Sequence, residues 1–201
     1  MKENRILVCG HGMHGKDITS SVIDELYGYK FRGSSEVMCS EPEILSQFKY
    51  ETGEELFENR RKHRTKLYNA ICEYNKEDKA RLAKKVMQDG KYGYTGMRDF
   101  DEVMECIKQG LFTHIIWVER KGAPLDPTQT FTFEDLYEEF QREDNTFSLA
   151  KVINYPVDSL LVEQMPKDKL DKLIADKLKV IFVRRNMNRF LEMSNTFTMF
   201  A

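Results

Sequence analysis

Hydrophobic positions near the N-terminus change from a continuous run to a helical spacing. Residues 6–9 form an uninterrupted apolar run, which is typical of a strand buried on both faces of a parallel sheet. After three closely spaced glycines, apolar residues return at helical spacing, at Ile18, Val22, Ile23 and Leu26. The pattern therefore predicts a strand, a glycine turn and a helix, which is the opening of an α/β unit.

A second passage with this character begins at Asp99. Apolar residues of segment 100–107 share one helical face, and Asp99 with Glu102 predicts a capping box at the start of that helix. Gly110 suits the left-handed residue that commonly ends a helix. The run 115–118 then predicts another buried strand.

Shorter patterns complete the predicted elements. Strands are predicted at 29–32 and 152–153, and helices at 132–140 and 170–178. Residues 121–130 contain a glycine and two prolines and predict a loop, which begins a segment at 121–148 that resembles a lid. Residues 180–201 show no clear periodicity, so an added strand, a packing arm and a dimer contact all stay open for them.

The glycine turn at residues 10–17 reads Gly-His-Gly-Met-His-Gly-Lys-Asp. Its glycines let successive N–H groups point inward, and the following helix adds positive charge at its N-terminus, so the turn suits phosphate. Lys16 would reach the outer phosphates of a triphosphate, and Asp17 stands where this pattern usually has a Ser or Thr that binds magnesium. Thr19 offers a nearby hydroxyl group. The alternative is an ordinary turn with solvated Lys16 and Asp17.

Segment 52–75 predicts one long helix that begins at a Thr52 cap. At about 100° per residue its apolar side chains form one stripe, and Arg60 and Arg64 fall inside that stripe, with His63 at its edge. A guanidinium group on an inward face needs an anion. Either an internal acid pairs with these arginines, or the stripe lines a cleft for an anionic ligand, which arginine forks bind well. A basic nucleic-acid patch is a weaker interpretation, because the cations spread around the helix.

Several further residues are candidates for phosphate binding or catalysis, and each of them could instead have a purely structural role. Arg98 and Asp99 follow a predicted strand end, where open α/β sheets bind ligands, although Asp99 is also the predicted helix cap. Glu36 could serve as a base or be a polar turn residue, and Arg120 could close over phosphates as part of the loop. No apolar run ends in the aspartate that commonly positions magnesium, so a second metal anchor is not assigned.

His11 and His14 stand at i, i+3 inside the glycine turn. Because they lie in a loop and not on a helix, we expect them to face solvent or nucleotide and not to bind a metal ion. The four cysteines lie far apart without a CxxC pair, which predicts reduced thiols in a cytoplasmic protein.

Composition excludes several classes of protein. The 201 residues fit one domain, 41% of them are hydrophobic, and the longest apolar runs are far too short to span a bilayer. The formal net charge of −2 gives no global positive field for nucleic acid. A single soluble α/β domain, covering residues 1–201, is therefore predicted.

Three motifs together resemble the phage-type deoxynucleoside monophosphate kinases among the P-loop kinases: residues 10–17, the Arg-Arg-Lys-His-Arg run at 60–64, and Tyr-Thr-Gly-Met-Arg at 94–98. The resemblance runs from about residue 5 to residue 120. It implies a three-layer sandwich with a mostly parallel central sheet flanked by helices. It also implies ATP and Mg²⁺ as cofactors and an acceptor-binding helical region at 41–75. In a relative within this group, the acceptor is the hydroxymethyl group of a modified pyrimidine in phage DNA.

The resulting hypothesis is an ATP-dependent kinase that phosphorylates a (deoxy)nucleoside monophosphate. The ATP-binding residues are expected to be Gly10, His11, Gly12, Met13, His14, Gly15, Lys16, Asp17 and Ile18. The acceptor-binding residues are expected to be Arg60, His63, Arg64 and Arg98. The catalytic residues are expected to be Lys16, Glu36, Arg98, Asp99 and Arg120. The expected metal ligands are Asp17 and Thr19. The alternatives are the DNA kinase and a non-catalytic nucleotide-binding regulator. A nucleic-acid partner is expected only for the DNA kinase. A homodimer is also possible under each hypothesis.

Overall fold

The chain forms an α/β fold around a five-stranded, all-parallel open sheet. This computed structural model describes residues 5–88, 92–142 and 147–154. The strands are β1 (Ile6–Cys9), β2 (Lys30–Gly33), β3 (Tyr92–Thr95), β4 (His114–Arg120) and β5 (Ser148–Asn154). Their order across the sheet is β2-β3-β1-β4-β5, with Val8 opposite both Thr95 and Ile116. Strand β1 is therefore central, and the chain passes from one of its sides to the other between β3 and β4.

Helices flank this sheet on both faces, consistent with three layers. They are α1 (Lys16–Tyr27), α2 (Ser34–Cys39), α3 (Pro42–Leu45), α4 (Gly53–Asn59), α5 (Arg64–Tyr74), α6 (Arg81–Val86), α7 (Phe100–Lys108) and α8 (Phe133–Phe140). Alternate residues of β1 belong to two different cores: Leu7 and Cys9 to the larger, and Ile6 and Val8 to the smaller. All four are buried, as the continuous apolar run predicts.

The predicted ends of several helices are confirmed by their caps. Thr52 accepts a hydrogen bond from the backbone N–H of Glu55, and Thr132 forms a reciprocal capping box with Asp135. Gly110, with φ of 62°, follows α7 in the left-handed conformation. Local sequence therefore determines where these helices begin and end.

The single long helix predicted over 52–75 is wrong, because a 3₁₀ turn at Arg60–His63 separates α4 from α5. Two side chains compete for backbone carbonyls at this break. Asn59 Nδ2 donates to the carbonyl of Glu55 at 2.9 Å, and Arg60 Nη1 donates to the carbonyl of Phe57 at 2.8 Å. Since the break changes the helical phase, Arg60 and Arg64 do not share one continuous apolar stripe.

The remaining predicted elements divide into those observed and those beyond the described part of the chain. The strands predicted at 29–32, 115–118 and 152–153 are confirmed, with ends that differ by one to four residues. The helix predicted around 170–178 and the segment 180–201 lie outside the described residues. Within the described ranges, no helix is long and apolar enough to cross a membrane, and the four cysteines are unpaired.

Candidate functional site

The glycine turn joins the buried end of β1 to the first residue of α1. Gly10 has φ of 131°, and a Cβ atom there would lie 2.2 Å from the carbonyl oxygen of Val118. Gly15 has φ of 95° immediately before Lys16 begins the helix. Only glycine suits both positions without strain. The predicted strand–turn–helix arrangement is therefore confirmed, and it leaves the N-terminus of α1 beside the turn.

Lys16 folds back onto this turn. Its Nζ donates to the carbonyl oxygens of Gly10 at 2.8 Å and His11 at 2.6 Å, and the residue is only 9% exposed. Burial, assisted by the nearby charge of Arg98, lowers the pKa of Lys16 to about 8. The ammonium group therefore stabilises the turn and remains mostly protonated at neutral pH.

Two arginines from different parts of the chain converge on one carboxylate oxygen. Arg64 Nη2 lies 2.7 Å and Arg98 Nη1 lies 2.8 Å from Oδ2 of Asp126. The carboxylate lies directly against the glycine turn, since a Cβ atom on Gly12 would be 2.4 Å from the same oxygen. The structure thus brings two predicted anion-binding residues, Arg64 and Arg98, to the glycine turn.

Asp126 was not predicted from the sequence, yet it is the centre of this cluster. Its Oδ1 accepts hydrogen bonds from the backbone N–H of Thr128 at 3.0 Å and from its hydroxyl group at 2.7 Å. Burial raises the pKa of Asp126, but the Thr128 hydrogen bonds and the charges of Arg98 and Arg64 outweigh it and hold the pKa at about 2. The Asp-Pro-Thr sequence signals a local turn of this kind, but nothing local identifies the two arginines.

His11 and His14 do not face solvent, which corrects that part of the prediction, whereas a position facing nucleotide stays a prediction. They are 8% and 1% exposed, and they form hydrogen bonds with the end of β4 and the loop that follows it. His11 Nδ1 accepts from the backbone N–H of Asp126 at 3.2 Å. His14 Nδ1 accepts from the N–H of Arg120 at 3.1 Å, while His14 Nε2 donates to the carbonyl of Pro124 at 3.2 Å.

These partners fix the charge state of His14. Because one ring nitrogen accepts and the other donates, the imidazole is neutral with its proton on Nε2. Burial is the main cause that lowers the pKa of His14. The loop that resembles a lid in sequence is therefore packed onto the glycine turn through His11, His14 and Asp126.

Arg60 and His63 contact other groups. The Arg60 guanidinium lies 3.9 Å from the centre of the Phe57 ring and donates to the Phe57 carbonyl. His63 Nε2 lies 2.9 Å from the hydroxyl oxygen of Tyr50 and packs edge-on against the Phe48 ring. Neither residue has a described contact with Arg64, Arg98 or Asp126, so the structure does not bring the four predicted acceptor-binding residues together.

The predicted carboxylates have local structural partners. Asp99 accepts from the backbone N–H of Glu102 at 3.1 Å as the cap of α7, which confirms the cap, whereas the Glu102 side chain turns inward. The carboxylate of Glu36 accepts from the N–H of Gly33 at 3.5 Å, at the start of α2. Both carboxylates therefore bind backbone N–H groups at helix starts, and their catalytic roles stay predictions.

The predicted metal ligands lie in the first turn of α1. Asp17 is exposed beside Lys16, and Thr19 is buried at 1% exposure. Among the described residues there is no group of three or more carboxylate, histidine or cysteine side chains that could hold a metal ion. An ion here would therefore need ligands from a bound phosphate, as magnesium commonly does.

In comparisons with known proteins, no family model and no curated sequence matches the chain.

Proposed function

We propose that this chain is a P-loop kinase that transfers the γ-phosphoryl group of ATP to a (deoxy)nucleoside monophosphate. In this proposal the glycine turn and Lys16 bind the triphosphate of the donor. Arg64 and Arg98 bind the phosphate of the acceptor. The resemblance to phage-type deoxynucleoside monophosphate kinases motivates the choice of acceptor.

The convergence of Arg64 and Arg98 on one oxygen beside Gly12 carries this proposal. Guanidinium groups bind carboxylate and phosphate oxygens with similar geometry. A second anion-binding feature, the glycine turn at the N-terminus of α1, lies directly alongside. Two phosphate-binding features next to each other are what a transfer between two phosphorylated compounds requires.

The residues around the turn fit a nucleoside triphosphate with magnesium. Gly12 lets the backbone of the turn approach the Asp126 carboxylate closely, and the exposed Asp17 carboxylate is available as an oxygen ligand. Bound magnesium would supply Lewis-acid stabilisation of negative charge on the phosphates. The chain's own contribution is positioning: Lys16 holds the turn, and the two arginines orient the acceptor and exclude competing orientations.

The test is transfer of radiolabel from γ-labelled ATP, with magnesium, to each common nucleoside monophosphate. Lys16→Ala should abolish transfer. Arg64→Gln should raise the acceptor KM about 10- to 100-fold, because a charge-assisted hydrogen bond contributes about 1.5–3 kcal/mol. Arg61→Gln is the matched control, since it removes the same charge from an exposed neighbour and should leave the KM unchanged.

Each other outcome identifies a different function. Label that reaches only a modified duplex, and no free nucleotide, would support the DNA kinase alternative. Binding of ATP without a labelled product from any acceptor would support the regulator. If Arg64→Gln and Arg61→Gln have the same KM, the acceptor does not use the Arg64–Arg98 pair and the proposed site is wrong.

A further inference from the structure

A single carboxylate, that of Asp126, contacts both of the phosphate-binding features in the proposed function. It lies on residues 121–130, the loop after β4, which we call the Asp126 loop. Its Oδ2 is paired with both Arg64 and Arg98, and its side chain is only 5% exposed. The Arg64 side chain remains 58% exposed, so an anion from solvent can reach this guanidinium group. The arginines that would bind an acceptor phosphate are therefore already paired with an anion of the chain itself.

The same carboxylate lies against the glycine turn. A Cβ atom on Gly12 would be 2.4 Å from Asp126 Oδ2, and the backbone N–H of Asp126 donates to Nδ1 of His11 at 3.2 Å. The charge of Asp126 also extends to Lys16, where it partly opposes the lowering of the Lys16 pKa by burial and by Arg98. A polyphosphate on the turn would therefore meet the negative charge of Asp126.

The Asp126 loop favours the position in which the carboxylate is paired. Thr128 donates to Asp126 Oδ1 from its backbone N–H group at 3.0 Å and from its hydroxyl group at 2.7 Å. Arg98 donates to the hydroxyl oxygen of Thr128 as well, and the Arg98 carbonyl accepts from the N–H of Thr130 at 2.9 Å. Rotation of the carboxylate away from the arginines would break both hydrogen bonds from Thr128. Release of Asp126 therefore has a free-energy cost.

We infer that Asp126 couples the two phosphate sites, as an internal anion that each phosphorylated ligand must displace. The inference rests on the proposed binding of two phosphorylated ligands but not on phosphoryl transfer. The ligand that binds first must release Asp126 from the arginines and from Gly12. The second ligand then binds to a site that is already open, so each ligand tightens the binding of the other. Asp126 is a positioning residue in this account, because it acts through Arg64, Arg98 and the turn.

The test is calorimetric titration of wild type with a non-hydrolysable ATP analogue and magnesium, with and without inorganic phosphate. The analogue is the probe for the glycine turn, and phosphate is the probe for the arginine pair. If the paired form of Asp126 outnumbers the released form by about ten to one, saturating phosphate should tighten analogue binding about tenfold. By linkage, the analogue must tighten phosphate binding by the same factor. Unchanged or weaker analogue binding in the presence of phosphate would overturn the inference without any variant.

Three variants locate the coupling. Asp126→Asn should bind the analogue about tenfold more tightly without phosphate and should lose most of the gain from adding it. Asp101→Asn is the matched control, because it removes the same charge from an exposed residue of α7 and should retain the gain. Arg64→Gln should also lose the gain, since phosphate acts through the arginine pair. If Asp126 only supports the turn, Asp126→Asn should weaken the binding of both probes, and that result would overturn the inference.

The outcomes separate this inference from the proposed function. Phosphoryl transfer together with independent binding of the two probes would keep the kinase and reject the coupling role of Asp126. Coupled binding without transfer to any nucleotide would keep the coupling and reject the kinase. If wild type does not bind the analogue, both proposals are wrong.

Discussion

Replacing Glu102 by glutamine should remove a large pH dependence of the stability of the fold. Glu102 is a buried acid on α7, only 6% exposed. Its Oε1 accepts a hydrogen bond from Asn75 Nδ2 at 2.7 Å, and Asn75 Oδ1 accepts from the backbone N–H of Leu82 at 3.1 Å. Burial raises the pKa of Glu102 from its usual 4.5 to about 7, against a smaller opposing effect of the Asn75 hydrogen bond.

The size and sign of the effect follow from this shift. At about 1.4 kcal/mol per pKa unit, a rise from 4.5 to about 7 corresponds to about 3 kcal/mol. Because the pKa is raised, the folded protein retains the Glu102 proton at pH values where the unfolded chain has lost it. The associated stability is fully present below pH 4.5 and is lost as the pH rises through about 7. Glutamine does not titrate, and its Oε1 can still accept from Asn75.

The assay is urea unfolding of wild type and Glu102→Gln at a series of pH values across this window. The variant should match wild type below pH 4.5 and exceed its free energy of unfolding by about 3 kcal/mol above pH 7. Taking the difference between the two proteins cancels other titrating groups, including the histidines. Glu105→Gln on the same helix is the control, because the Glu105 side chain is 32% exposed. Parallel curves for Glu102→Gln would refute the account of a buried, neutral acid.

Three further predictions concern the cluster at the glycine turn. Asp126→Asn should cost about 2 kcal/mol of unfolding free energy at neutral pH, from the lowering of its pKa from 3.8 to about 2, and this cost should vanish as the pH falls through that value. The same variant should bind inorganic phosphate about tenfold more tightly in calorimetry, because Arg64 and Arg98 lose their internal anion; weaker binding would show that Asp126 assists the ligand. Gly12→Ala should lower the Tm, since its Cβ would meet Asp126 Oδ2 at 2.4 Å, and the loss should shrink in an Asp126→Ala background. Equal losses in both backgrounds would contradict the direct contact.

Local patterns in the sequence predict most of the described elements. The run 6–9 and the glycine turn specify their own geometry, because a buried strand needs continuous apolar residues and positive φ angles need glycine. The caps at Thr52 and Asp99 bond to N–H groups three residues away, so they are visible in a short window. These parts of the fold depend on neighbours along the chain.

The features that sequence reasoning missed depend on contacts between distant residues. The partner of Arg64 is 62 residues away, and the loop that carries Asp126 has no periodicity from which its packing could be read. The histidines are polar residues in a glycine-rich turn, a context that fits exposure as well as burial until the loop after β4 is in place. At the break at Arg60–His63, the side chains of Asn59 and Arg60 donate to backbone carbonyls, and helical periodicity contains no information about such hydrogen bonds.

The meeting of three distant chain segments at Asp126 has a consequence for folding. Arg64 and Arg98 lie 62 and 28 residues from Asp126 along the chain. Closing loops of this length costs entropy that is recovered only when the sheet between them has assembled. We therefore expect this cluster to form late in folding. If phosphate binds at these arginines as proposed, it should slow global unfolding and leave the early steps of refolding unaffected, so it would report on completed assembly.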